Sequence, residues 1–178
     1  MKGITLIKRL YSCPKGYEGW KTFEDICVDI LCYLFVPPLS PPKIQQRTYS
    51  GIDIRDAVFP NRNFNVINIW GQLFKELEAR LILFDFKNYD KEEIGKEEVD
   101  QIRNYLTGPM GRLAIMCCSK LPNEIAHKRR NSIFSSEKKV ILFLLPSHFK
   151  EMIFRKERGE DPADLIMDMV EWFYLQHE

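Results

Sequence analysis

An α/β sandwich on a central mixed sheet is the fold class this sequence predicts, and three observations predict it. Short apolar runs recur at Leu81-Ile82-Leu83-Phe84, Leu113-Ala114-Ile115-Met116-Cys117-Cys118 and Val140-Ile141-Leu142-Phe143-Leu144-Leu145. Runs of that length between turn signals read as strands, and near-continuous Val, Ile, Leu and Phe suits a sheet covered on both faces. Stretches of helical periodicity alternate with them, in the order helix, strands, strand, helix, strand, helix, strand, helix. The chain has 178 residues, 45% of them apolar, which suits a single domain with a core of its own.

The elements follow in order. Met1 to Leu6 lacks the apolar stretch and small-residue cleavage site of a signal peptide. Thr22-Phe23-Glu24-Asp25 opens an amphipathic helix: Thr22 can cap it, and Phe23, Ile26, Cys27, Ile30, Leu31 and Leu34 recur at helical spacing until Pro37 stops it. Pro37-Pro38-Leu39-Ser40-Pro41-Pro42 reads as a rigid connector. Gln46 to Phe59 holds one or two strands with Tyr49-Ser50-Gly51 as a turn, Asn61 to Asn65 is a loop, and Ile69 to Glu78 is a short helix. Arg80 to Lys87 is the clearest strand, and a polar loop separates it from a helix over Lys96 to Leu106 that ends at Thr107-Gly108-Pro109. Arg112 to Cys118 is a strand, Asn123 to Ser135 a helix rich in base, and Lys139 to Leu145 a strand. Two helices close the chain, over Ser147 to Arg158 and Pro162 to Gln176.

Charge and cysteine usage narrow the class. Twenty-six basic and 25 acidic residues leave a net charge of +1, which excludes a polybasic tail or an acidic disordered chain. The longest apolar run, Val140 to Leu145, falls far short of the ~20 residues that cross a bilayer. The five cysteines form no CxxC pair, and none stands at zinc-ligand spacing from a histidine, so they read as reduced, buried thiols. The expectation is a soluble, cytoplasmic domain without membrane association. His127, His148 and His177 are scattered and are assigned no chemistry.

Chemistry is suggested where ionisable residues interrupt apolar strands. In Leu81-Ile82-Leu83-Phe84-Asp85-Phe86-Lys87, alternation puts Asp85 and Lys87 on one face and Phe84 and Phe86 on the other. Upstream, Asp53 and Asp56 sit in a second strand-like run, Gly51 to Phe59; in a regular strand they face opposite sides, and either can be the one that joins Asp85. A buried carboxylate is costly unless it is paired or holds a metal. Two carboxylates and a lysine at one sheet edge therefore suggest a divalent-cation site, since Mg²⁺ prefers oxygen ligands. The alternative from spacing alone is a strand-end ion pair between Asp85 and Lys87.

Asp56, followed about thirty residues later by Asp85-Phe86-Lys87 in the order helix–strand–strand–helix, resembles the PD-(D/E)XK nuclease superfamily, whose fold is the restriction-endonuclease-like three-layer sandwich. Gln101-Ile102-Arg103-Asn104-Tyr105 is similar to the Q-xxx-Y element of its RecB- and Mrr-like branches, and Lys87-Asn88-Tyr89 to the end of the catalytic strand there. Gly51 to Asn61, with Arg55-Asp56, Phe59 and Asn61, is similar to a segment of bacterial restriction-like domains. The resemblance covers Trp20 to Leu145. The chain departs from the pattern in having no Pro before Asp56 and an Asp, not the commoner Glu, at 85.

The resemblance implies a Mg²⁺- or Mn²⁺-dependent endonuclease, with DNA favoured and a restriction-like or phage-defence role. Asp56, Asp85 and the backbone carbonyl of Phe86 would hold the cation, and Lys87 would position and help deprotonate the attacking water. Glu24 on the first helix would add an acidic ligand through water, and Gln101 would orient Lys87 or the phosphate. The competing readings are a catalytically weak restriction-like fold used as a DNA-binding or dimerisation module, and a sheet domain whose Asp85–Lys87 pair is structural. Lys128, Arg129 and Arg130 form the candidate phosphate-binding patch, or else a solvated helix face. The last helix carries Leu165, Ile166, Met169, Val170, Trp172, Phe173 and Leu175, more apolar surface than one stripe needs, which suggests a homodimer or partner-subunit contact involving Trp172 and Phe173.

Overall fold

The computed structural model describes residues 2–47, 49–51 and 54–177, apart from the side chain of Ile54. In chain order the elements are α1 (Lys2–Ser12), α2 (Trp20–Phe35), β1 (Lys43–Arg47), β2 (Ile54–Pro60), α3 (Ile69–Leu77), β3 (Leu81–Lys87), α4 (Lys96–Tyr105), β4 (Leu113–Cys118), α5 (Glu124–Glu137), β5 (Val140–Leu144), α6 (Pro146–Glu157) and α7 (Ala163–Gln176). The strands form one mixed sheet in the order β1-β2-β3-β4-β5. β1 and β2, and β2 and β3, run antiparallel; β3, β4 and β5 run parallel, each step crossing over through a helix.

Both faces of the sheet are covered, which is why β4 and β5 are apolar at every position. Phe59, Ile82, Phe84, Leu113, Ile115 and Leu142 face a core shared with α1, α2, α3, α6 and α7. Val58, Leu83, Ala114, Met116, Cys118 and Ile141 face a second core, closed by Val99 and Ile102 of α4 and Ala126 and Ile133 of α5. The result is a five-stranded mixed sheet between two layers of helices, as the element order predicts.

Two starts differ from the sequence expectation. α1 was not anticipated; Gly3, Leu6 and Leu10 form its buried face against α2 and α6. Its first contact position is a glycine, at which an added Cβ would lie 2.5 Å from Ile153 Cγ2, so the stripe begins without a side chain to betray it. α2 begins at Trp20, not at a Thr22 cap: a 3-10 turn over Tyr17–Gly19 leads into it, and Gly19 at its N-cap supplies no side chain.

One buried asparagine sets the relation of β2 to β3. Asn61, just beyond β2, donates from Nδ2 to the carbonyls of Trp70 at 2.9 Å and Ala79 at 2.8 Å, while its Oδ1 accepts from the backbone and side chain of Asn63. These bonds tie the exit of β2 to α3 and to the entry of β3, so the two strands that carry the acidic residues meet in fixed alignment. Asn61 is therefore an anchor of the fold.

Candidate active site

Alternation along β3 sends Leu83, Asp85 and Lys87 to the α4 side of the sheet. Apolar neighbours bury Leu83 there, and Asp85 follows it inward with only 2% of its surface exposed. Lys87 Nζ stands 3.0 Å from Asp85 Oδ2, an ion pair that keeps both charges under cover. The ammonium is not aligned to hydrogen-bond that oxygen, so Oδ2 is a buried acceptor without a directed donor. A buried carboxylate oxygen is held there chiefly by the charge of Lys87.

Asp56 arrives from β2. The antiparallel ladder pairs Pro60 with Leu81 and continues to Ala57 opposite Phe84. One step further the next residues across the ladder are Asp56 and Asp85, and Asp56 Oδ2 takes the Phe86 N–H at 3.0 Å. The two carboxyl groups are close enough to share a hydrogen bond. Burial, then the neighbouring Asp85, push Asp56 up to about 7 from an ordinary 3.8. Burial raises Asp85 as well, against the pull of Lys87. Burial works to lower Lys87, but the carboxylates outweigh it and hold the ammonium above its ordinary value. Burial and mutual repulsion thus work against a double negative charge on the acidic pair, beside a lysine held in its charged form.

Three other elements complete the cavity, which measures about 450 Å³. From α4, Gln101 Oε1 accepts from Lys87 Nζ at 2.8 Å, and Gln101 Nε2 donates to Tyr105 Oη at 2.8 Å. Those two residues lie four apart on one helix face, so a single helix orientation turns both toward the cavity. From α2, Glu24 is buried at the same cavity, with Oε1 accepting from Lys21 at 3.0 Å and from Gln45 at 3.1 Å. Asn88 continues β3 and donates from Nδ2 to the carbonyls of Pro14 at 2.9 Å and Gly16 at 3.2 Å, which ties the loop before α2 to the end of the strand.

All five expected site side chains, Glu24, Asp56, Asp85, Lys87 and Gln101, thus line one cavity, together with Phe86. Asp53, the other candidate ligand on that run, lies outside the described residues. Sequence reasoning missed Gln45 and Trp20. Gln45 reaches Glu24 from a strand position of φ 49°, a conformation that no spacing rule foretells. Trp20 stands one helical turn before Glu24, an i, i+4 relation legible once the start of the helix is known. Tyr105, read as packing alone, packs on the second core and also accepts the hydrogen bond from Gln101.

The basic patch on α5 is not one surface. Lys128 pairs with Glu124 at 2.7 Å in the open, and Arg129 pairs with Asp100 of α4 at 2.6 Å. Arg130 folds inward: its guanidinium lies 4.4 Å from the Phe143 ring centre and 5.2 Å from that of Phe173, and it donates to the Ile141 carbonyl at 3.2 Å. Burial lowers it to about 10. At the C-terminus, Phe173 is likewise core and stacks edge-on against Phe134, so the expected apolar contact keeps Trp172 and Leu175 exposed but loses Phe173. All five cysteines are free thiols, and burial pushes Cys27 and Cys117 well above the ordinary value. Among the described residues no helix is long and apolar enough to cross a membrane.

The oxygen set fits a hard divalent cation. Among the described residues no group of three or more His, Cys, Asp or Glu is gathered around one point. Two carboxylates beside a strand-end carbonyl form a partial oxygen shell, such as a hard cation completes with water.

No family model matches the chain, and no solved structure matches it significantly. It is similar to the "Putative transposon gamma-delta 80.3 kDa protein" of Escherichia coli strain K12, 26% identical over 157 residues that cover 86% of this chain and 22% of that protein. The chain thus spans about a fifth of the length of the relative it matches.

Proposed function

We propose that this chain is a Mg²⁺- or Mn²⁺-dependent nuclease of the restriction-endonuclease-like class that hydrolyses phosphodiester bonds, with DNA as the favoured substrate. One observation carries the reading: Asp56, Asp85 and Lys87, from two neighbouring strands, meet in a single cavity with Lys87 held by Gln101. A structural ion pair between Asp85 and Lys87 does not account for a second carboxylate, the half-buried Asp56, in the same cavity. The name of its relative ties that protein to a transposon, and work on nucleic acid suits such a setting.

Asp56, Asp85 and the Phe86 carbonyl would hold the cation, which when bound supplies Lewis-acid stabilisation of phosphoryl charge and a water of lowered pKa. The rest falls to side chains of the chain itself. Lys87 carries a fixed positive charge beside the carboxylates, where the charge of a five-coordinate phosphoryl group develops. Gln101, braced on Tyr105, keeps that ammonium from swinging wholly onto Asp85. Glu24 is steadied by Lys21 and Gln45 and adds negative charge at the mouth, suited to a water in the outer shell of the cation.

The test is cleavage of supercoiled plasmid in Mg²⁺, in Mn²⁺ and in EDTA, with Lys87→Ala alongside. Cleavage that needs the cation and falls at least ~100-fold in the variant supports the reading, in line with the loss of one charge-stabilising group. Equal cleavage by the variant rejects it. Binding of DNA without cleavage by the wild type selects the non-catalytic module instead.

A further inference from the structure

The cavity that holds the acidic pair also holds an aromatic side chain to which no role has been given. Trp20, the first residue of α2, lines it together with Glu24, Asp56, Asp85 and Lys87, yet 46% of its surface is open to solvent. Its ring makes no aromatic stack and carries no cation among the described residues, whereas Trp70, fully buried, packs edge-on against Phe35 at 5.0 Å. The exposure is built in. An added Cβ at Gly19 would stand 1.8 Å from the Pro14 carbonyl oxygen, so the chain turns there with no room to spare. The same carbonyl accepts from Asn88, the residue that follows Lys87. The catalytic strand thus fixes the turn that presents the indole.

The electrostatics of the cavity make such a ring useful. Glu24 is paired with Lys21 and Asp85 with Lys87, so the cavity offers a phosphate chain little free positive charge until a cation binds. β1 is exposed along its whole length, and two of its cations, Lys43 and Arg47, two residues either side of the cavity-lining Gln45, have no ion pair among the described residues. Proteins hold single strands by pairing cations along the backbone with an open aromatic ring against a base.

We infer that Trp20 is a stacking platform for the base of the nucleotide beside the scissile phosphate, so that the site takes strands with an unpaired nucleotide there in preference to an intact duplex. The inference rests on the nuclease reading. In a duplex each base face is covered by its neighbours, and a ring fixed within the cavity meets a base only where a nucleotide is single-stranded, terminal or turned out of the stack. Stacking is tolerant of base identity, so little sequence preference is expected from this contact.

Binding without cleavage tests it. Anisotropy of labelled oligothymidylate, oligouridylate and a duplex of equal length is followed in Ca²⁺ with the wild type, Trp20→Ala, Trp20→Phe and Trp172→Ala. Trp20→Ala is expected to weaken single-strand binding about 5- to 150-fold, the range of one base–aromatic stack, and to leave duplex binding unchanged. Trp20→Phe keeps most of the affinity, and Trp172→Ala, on a remote exposed indole, keeps all of it. The two single-stranded arms show which sugar the site accepts. Absent single-strand binding by the wild type, equal binding by Trp20→Ala, or an equal loss on duplex overturns the assignment. The nuclease reading fails separately, through the Lys87→Ala cleavage assay.

Discussion

Replacing Asp56 by Asn should stabilise the metal-free protein at neutral pH and change how its stability depends on pH. Asp56 rises from an ordinary 3.8 to about 7 in the fold. The folded state therefore holds this proton more tightly than the unfolded chain does. The associated stability is present below pH ~4 and is lost as pH rises through about 7. A shift of roughly 3 units corresponds to about 4 kcal/mol at 1.36 kcal/mol per unit, an upper figure because Asp56 and Asp85 titrate as a pair. Asn carries no charge to desolvate and can still accept the Phe86 N–H through its amide oxygen. For a chain of this size, ~2–4 °C of Tm accompany each kcal/mol, so the gap between variant and wild type should open from near zero at pH 4 to roughly 8–16 °C at pH 8. Thermal unfolding by circular dichroism in EDTA measures it, and acid effects common to both proteins cancel in the difference. Mn²⁺ at pH 8 should close the gap by raising the wild type alone. A gap of the same size at both pH values refutes the reasoning, because the proton on Asp56 would then have no part in it.

Two further outcomes follow from the same contacts. Gln101→Ala frees Lys87 without touching the carboxylates, so cleavage should fall about 10- to 100-fold, the usual scale for a supporting hydrogen bond at a metal site, with Tm little changed; full activity would remove Gln101 from the site. Asn61→Ala leaves the buried carbonyls of Trp70 and Ala79 without their donor and should cost roughly 1–3 kcal/mol per stranded group, read as a lower urea midpoint; a midpoint equal to that of the wild type would deny Asn61 its anchoring part.

How far the sequence carried depends on what each residue answers to. The face shared by Asp85 and Lys87 was legible because strand alternation is strict and the flanking residues are uniformly apolar. The choice between Asp53 and Asp56 was not, since it depends on the register of β2 against β3, and that is set by Asn61, a loop residue bonded to partners nine and eighteen positions away. Gln101 was reached only through resemblance, because nothing in a polar helix face says which glutamine looks inward. Arg129 and Arg130 illustrate the converse: a basic run reads as one surface, yet about 100° of helix rotation per residue sends Arg129 to Asp100 and Arg130 beneath two phenyl rings. Phe173 was placed outside for a similar reason, as a strongly apolar helix does not reveal which side of it the sheet covers.

Titration calorimetry of Mn²⁺ into the wild type and Asp85→Asn, at pH 8 and free of nucleic acid, addresses the carboxylate pair most directly. The account predicts saturable binding by the wild type, an affinity at least ~10-fold weaker in Asp85→Asn, and an unfolding temperature without metal no lower in the variant. Equal binding by the two proteins would contradict it.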